Sequence, residues 1–139
     1  MSIEQKECEL IGEFNQFDDW MDKYEYLIDC GKSLPEMAAN YKCDENIIKG
    51  CQSTVWLYAE LVENKVIFHG AADSLIARGI VALLIRLLSG ENPEDIVHAK
   101  LESLRTIGLQ EHLSPTRSNG LVAMVKQMKM YALGLNIAK

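Results

Sequence analysis

Cys51 is the residue of this chain best placed to do chemistry. It stands in Gly50-Cys51-Gln52-Ser53-Thr54-Val55-Trp56-Leu57, directly after a glycine. On one side lies the apolar pair Ile47-Ile48, on the other a run rich in β-branched and aromatic residues from Thr54 to Val62. Such runs read as strands, and a glycine beside one marks a turn or bulge. The placement predicts a thiol at the tip of a loop between two strands, where another protein's active site can reach it. A thiol reacts as its thiolate, which proteins favour with a helix N-terminus, a cation or a metal. A strand follows Cys51, so no helix dipole assists it, and Lys49 faces the thiol only if the loop permits. Position alone supports a reactive thiol and a small loop residue equally. Burial raises a thiol pKa, so the expectation is a poorly nucleophilic resting thiol that a partner exposes or activates.

Other reactions fit less well. A cysteine hydrolase needs a histidine base and a group to orient it. His69 ends a predicted strand, but no motif sets it beside Cys51, and His98 and His112 read as surface or capping groups. A metal or iron–sulfur site from Cys43, Cys51 and His69 matches no standard ligand spacing, and no Cys-x-x-Cys pair exists. Arg117 is the basic residue of a polar loop beside a helix start. It reads either as a salt bridge or cap, or as a cation for an anionic sulfur or a partner carboxylate. Asp73 reads as a helix cap, and Met21, Met124 and Met128 as core.

The composition sets the frame. A length of 139 residues fits one domain spanning 1–139, able to bury roughly 68% of its unfolded surface. Apolar content of 48% suits a globular core. The net charge of −6 comes with no basic stripe, which argues against nucleic acid and for a protein or small-molecule partner. Ile80 to Leu88 is broken by Arg86 and too short to span a bilayer. Met1 to Lys6 lacks a basic region followed by an apolar one, which predicts a cytosolic protein or the processed form of an organelle protein. Without a secretory signal, the four cysteines are not expected to form disulfides. Cys8 and Cys30 read as small packing residues.

The elements that must position Cys51 follow from periodicity. Ser2-Ile3-Glu4-Gln5 has capping-box form and opens a helix. A second begins at Asp18-Asp19, with Trp20, Met21, Tyr24, Leu27 and Ile28 on its apolar face and a stop near Gly31. Strands are expected at Asn46–Lys49, Thr54–Val62 and Lys65–Gly70, the second alternating Val55, Leu57, Ala59 and Leu61 against Trp56, Tyr58 and Glu60. Glu63-Asn64 makes a tight connection, and the three form an antiparallel meander. Asp73 or Ser74 caps a strongly apolar helix that ends at Ser89-Gly90. Gly79 inside it implies a close packing contact, since glycine costs about 1 kcal/mol against alanine there. Asn92-Pro93-Glu94-Asp95 starts another helix, Lys100 to Ile107 a short one, and 112–120 is loop leading to a last helix with Leu121, Met124, Val125, Met128 and Leu135 on one face. The sum is α+β: a small three-stranded antiparallel sheet packed against helices on one side.

Gly50-Cys51-Gln52-Ser53-x-Val55-Trp56 resembles the signature of the SufE family, sulfur acceptors for cysteine desulfurases. Trp20 with Tyr24, Leu34-Pro35-Glu36, Asp73, Asn92-Pro93-Glu94-Asp95-Ile96-Val97 and His112-Leu113-Ser114-Pro115-Thr116-Arg117-Ser118-Asn119-Gly120-Leu121 resemble family positions in the same order. The resemblance implies the α+β sandwich shared with the scaffold IscU. It implies a SufS-type desulfurase as partner, or a CsdA-like paralogue, since the CsdE branch carries the same motif. It also implies a SufBCD scaffold that receives the sulfur. Pyridoxal phosphate would reside on the desulfurase, leaving this chain without a cofactor or metal of its own. Cys51 would become a persulfide, with Gly50, Gln52, Ser53, Asp73 and Arg117 binding the partner or positioning the loop. Cys8, Cys30 and Cys43 are not part of the motif. The resemblance leaves the oligomeric state open, a homodimer included. The alternative is a metal or iron–sulfur scaffold of IscU type.

Overall fold

The computed structural model describes residues 2–51 and 53–138. Helix α1 (Ile3–Phe14) begins at the expected capping box: Ser2 Oγ accepts from the Gln5 amide, and the Gln5 side chain accepts from the Ser2 amide. Helix α2 (Trp20–Lys32) is capped by Asp19. Leu27 is its fully buried residue; Met21, expected in the core, is 73% exposed, because it lies one position off the stripe that Trp20, Tyr24, Leu27 and Gly31 define.

Strands β1 (Val55–Val62) and β2 (Lys65–Ala72) pair antiparallel, with Val62 opposite Lys65 and Val55 opposite Ala72. Glu63 and Asn64 both take positive φ, 51° and 66°, the backbone of a two-residue turn whose twist matches its strands. Val55, Leu57 and Ala59 are buried on the face shared with Val66, Phe68 and Ala72, as the alternation predicts.

The sheet has two strands, not three. Asp44–Asn46 is a short 3-10 turn, and Ile47 contributes one isolated bridge to Trp56. Two causes stop the third strand. Gly50 turns the chain away at φ +94°. Farther along, the Leu57 carbonyl accepts from the Tyr131 hydroxyl (3.0 Å), so a helix side chain occupies the edge that a strand would have used.

Helices cover the apolar face of the hairpin. Helix α3 (Leu75–Leu88) packs on β2 and α7 (Pro115–Ala138) on β1. Between them in sequence come α4 (Pro93–His98), α5 (Glu102–Thr106) and α6 (Leu109–His112). Ser74, not Asp73, caps α3, accepting from the Ala77 amide. The close contact implied by Gly79 is present: α2 crosses α3 where Gly31 meets Gly79. Segment 112–120, expected as loop, is largely helical. Proline is pre-organised for the first helical position, and Ser114 Oγ accepts from the Arg117 amide (3.4 Å), so α7 starts at Pro115. Cys8 is exposed on α1 rather than packed, while Cys30 packs against the core.

Arg86 interrupts the apolar α3 to hold α1. Its guanidinium donates to both Glu13 carboxylate oxygens, and the Tyr26 hydroxyl donates to the same carboxylate. Burial, then the bond to Glu13, holds the Tyr26 proton up to about 12. The folded chain therefore keeps that proton more tightly than the unfolded chain, whose tyrosines titrate near ~10. This part of the stability is intact below about pH 10 and is lost as pH rises through about 12. Urea midpoints from pH 9 to 12 are expected to fall more steeply for the wild type than for Tyr26→Phe; parallel curves would remove Tyr26 from the alkaline limb.

Candidate functional site

The Cys51 segment is held at both ends. Before it, the Ile48 amide donates to the Val55 carbonyl (2.8 Å). After it, the Thr54 amide donates to Asp73 Oδ1 (3.0 Å), and the Asp73 amide donates back to the Thr54 carbonyl (3.1 Å). The Ser53 hydroxyl donates to Ser74 Oγ (2.7 Å), which also accepts from Ala77 in capping α3. Asp73 thus ties the loop to the end of β2, and Ser53 ties it to the helix cap. Gly50 supplies the left-handed turn that a side chain would strain. Gln52 lies outside the described residues.

The thiol rests on α7. Cys51 Sγ is 3.7 Å from the Gly120 carbonyl, and a Cβ placed on Gly120 would come within 3.3 Å of the sulfur. Beside Sγ is a recess of about 20 Å³, a space on the scale of one water. Ala77, Ile80 and Met124 give it apolar walls, with Ser53 and Arg117 at its polar edge. Arg117, expected in a loop, sits in the first turn of α7, and among the described residues no carboxylate comes within 4.0 Å of its guanidinium. Burial pushes the Cys51 thiol up from its ordinary value, with no charged neighbour among the causes. The resting side chain at neutral pH is the thiol, not the thiolate. Iodoacetamide at pH 7, followed by peptide mass spectrometry, is expected to label exposed Cys8 before Cys51; Cys51 reacting first would contradict this electrostatic picture.

The other sequence candidates lie elsewhere. His69 Nε2 is 3.2 Å from Glu60 Oε1 on the outer face of the hairpin, in an aromatic row with Tyr58 and Tyr41. It does not line the recess. Cys43 precedes the 3-10 turn, and His112 stacks on Trp20. Among the described residues no three His, Cys, Asp or Glu side chains converge on a point that could hold a metal ion. Sequence reasoning missed Gly120 as the surface on which the thiol sits. Its signal was a buried-face glycine beside Leu121 and Met124, but the contact joins residues 69 apart.

Fold and site together define an α+β protein that presents one half-buried cysteine on a tethered loop. Known proteins share both the sequence and the fold. Residues 8–132 match the SufE model, described as an Fe-S metabolism associated domain. The chain is 37% identical over 131 residues to an uncharacterized SufE-like protein of Rhizobium meliloti (strain 1021), covering 91% of this chain and 94% of that one. It is 35% identical to SufE-like protein 1, chloroplastic/mitochondrial, of Arabidopsis thaliana, covering 93% of this chain but 35% of the plant protein. The solution structure of a hypothetical protein from Thermus thermophilus shares the fold, with a TM-score of 0.77 at 19% identity over 93% of this chain and 94% of that one. The chain belongs to the SufE family, and its role lies in iron–sulfur metabolism.

Proposed function

We propose that this chain is a single-domain sulfur acceptor for a pyridoxal-phosphate-dependent cysteine desulfurase of SufS type or a CsdA-like paralogue. In this reading Cys51 takes the sulfur and relays it to a SufBCD-type scaffold, and the acceptor stimulates the desulfurase by clearing its persulfide. The chain turns over no substrate alone and carries no cofactor. Its site of action is the cytoplasm.

The observation that carries the reading is the seat of Cys51: one tethered thiol, no base among the described residues that line its recess, and apolar walls next to Sγ with room for about one more atom of sulfur's size. The reaction asks for little else. The Cys51 thiolate attacks the outer sulfur of the desulfurase persulfide. The new S–S bond forms as the old one breaks, and the desulfurase cysteine leaves as a thiolate. The proton released by Cys51 matches the one that the departing thiolate takes up, so no oxidant or reductant is consumed. Arg117 at the recess edge is suited to an anionic perthiolate. Gly50, Ser53 and Asp73 position the loop, and Gln52 joins them from its place in the motif.

Intact mass spectrometry after incubation with a desulfurase and free cysteine tests this. Wild type is expected to gain one or more sulfur atoms, removable by reductant, and Cys51→Ser none. No gain with an active cognate desulfurase would reject the carrier role. The metal-scaffold alternative would need ligands beyond those that converge among the described residues.

A further inference from the structure

The face of α7 turned away from Cys51 lines a groove of about 510 Å³, whose opposite wall is the segment from the end of α4 through α5. Leu101, Leu104, Leu121 and Val125 form the apolar floor. Apolar surface continues out of the floor onto the α7 wall, where Val122 is 54%, Met130 54% and Leu133 48% exposed. From Leu121 to Leu133 the wall runs about 18 Å, or three helical turns.

The charge around this groove opposes that of the rest of the molecule. Lys100, Arg105, Lys126 and Lys129 line it, with Glu102 as the one carboxylate among the lining residues. The groove therefore holds four of the fourteen Lys and Arg in a chain of net charge −6. Among the described residues none of the four pairs with a carboxylate within 4.0 Å. Lys129 donates to the Ala99 carbonyl, and the other three project from exposed positions. Cations stand on both walls, two on α7 and two opposite.

We propose that this groove docks an amphipathic helix of a partner protein, one that flanks an apolar stripe of about three turns with carboxylates. A helix laid in the groove would put its stripe on the floor and its acids against both rows of cations. Exposed Val122, Met130 and Leu133 favour a helix over a small amphiphile, which would fill the floor and leave the wall wet. The concavity favours it over an anionic membrane, which meets a flat or convex surface.

The test uses an 18-residue designed helix with leucines at i, i+3, i+4, i+7 and i+11 and glutamates beside them, and a twin with lysines in place of the glutamates. Backbone chemical-shift changes on adding the glutamate peptide are expected along 97–105 and 121–133. Its Kd is expected to weaken about tenfold in Lys126→Glu/Arg105→Glu and to weaken further with salt. Equal binding of the lysine twin, shifts elsewhere, or no shifts would overturn the proposal. So would co-sedimentation with phosphatidylglycerol vesicles that the same double variant abolishes. No desulfurase or sulfur donor is present, so the result is independent of the sulfur-carrier reading.

Discussion

Gly79→Ala is expected to destabilise the fold by about 3 kcal/mol, against the usual gain of up to ~1 kcal/mol for glycine to alanine inside a helix. A Cβ on Gly79 would sit 2.4 Å from the Leu27 carbonyl oxygen, 2.9 Å from Leu27 Cγ and 3.0 Å from its carbonyl carbon. Two of those atoms are backbone, so no rotamer change relieves the overlap and α2 must back away from α3. Leu27, Ile80 and Leu84, all buried, would then lose packing together. Gly31→Ala meets the same crossing from the other side, 2.7 Å from the Gly79 amide nitrogen. Once one alanine has separated the helices the second costs less, so the double variant should fall short of the sum. Gly12→Ala on α1 is the control, with nothing within 4 Å of its added carbon, and should stabilise by about 0.5–1 kcal/mol. Urea denaturation reads all of these. Gly79→Ala behaving like Gly12→Ala would mean that the crossing is looser than described.

Gly120→Val is expected to raise the alkylation rate of Cys51 about tenfold while leaving the helical circular dichroism unchanged. The three nearest atoms to a Cβ on Gly120 all belong to Cys51: Sγ at 3.3 Å, Cα at 3.5 Å and Cβ at 3.6 Å. Alanine would only tighten these contacts. The two further methyls of valine overlap the cysteine, and the loop, not the core, is the part able to give. A displaced Cys51 regains water, and the desolvation that holds its proton relaxes. Rates are read by mass spectrometry at pH 7 and again at pH 9. An unchanged rate at both would show that the thiol is not held by this contact; lost helicity would mean that the core yields instead.

Much of this was readable from residue order alone, for identifiable reasons. The alternation of Val55, Leu57 and Ala59 is a local pattern, and β1 buries those residues. The Ser2, Asp19 and Asn92 caps are fixed by bonds three residues long, and all three form. The third strand failed because its signal was the pair Ile47-Ile48, and its ladder edge was taken by Tyr131 from the far end of the chain. Leu101 adopts φ +54° ahead of α5, a left-handed conformation that no leucine advertises. The cysteine itself was legible, while its seat was not. Gly120, Ile80 and Met124 reach the thiol only once α3 and α7 have packed.

The single bridge at Ile47 sets a reach. Between the anchored amides of Ile48 and Thr54 none of the described residues is strand-paired. Cys51 lies three steps along the chain from Ile48 and three from Thr54, with two residues between on each side. Fully drawn out, such a leash lets the sulfur travel about 10 Å from either post. If Cys51 exchanges sulfur as proposed, a partner's reacting sulfur within that radius can be met without disturbing the hairpin. One buried deeper would also require opening the isolated Ile47–Trp56 bridge, which lies outside the two-stranded sheet. Under that proposal, the depth of pocket that Cys51 can enter is written into the strand that the chain does not complete.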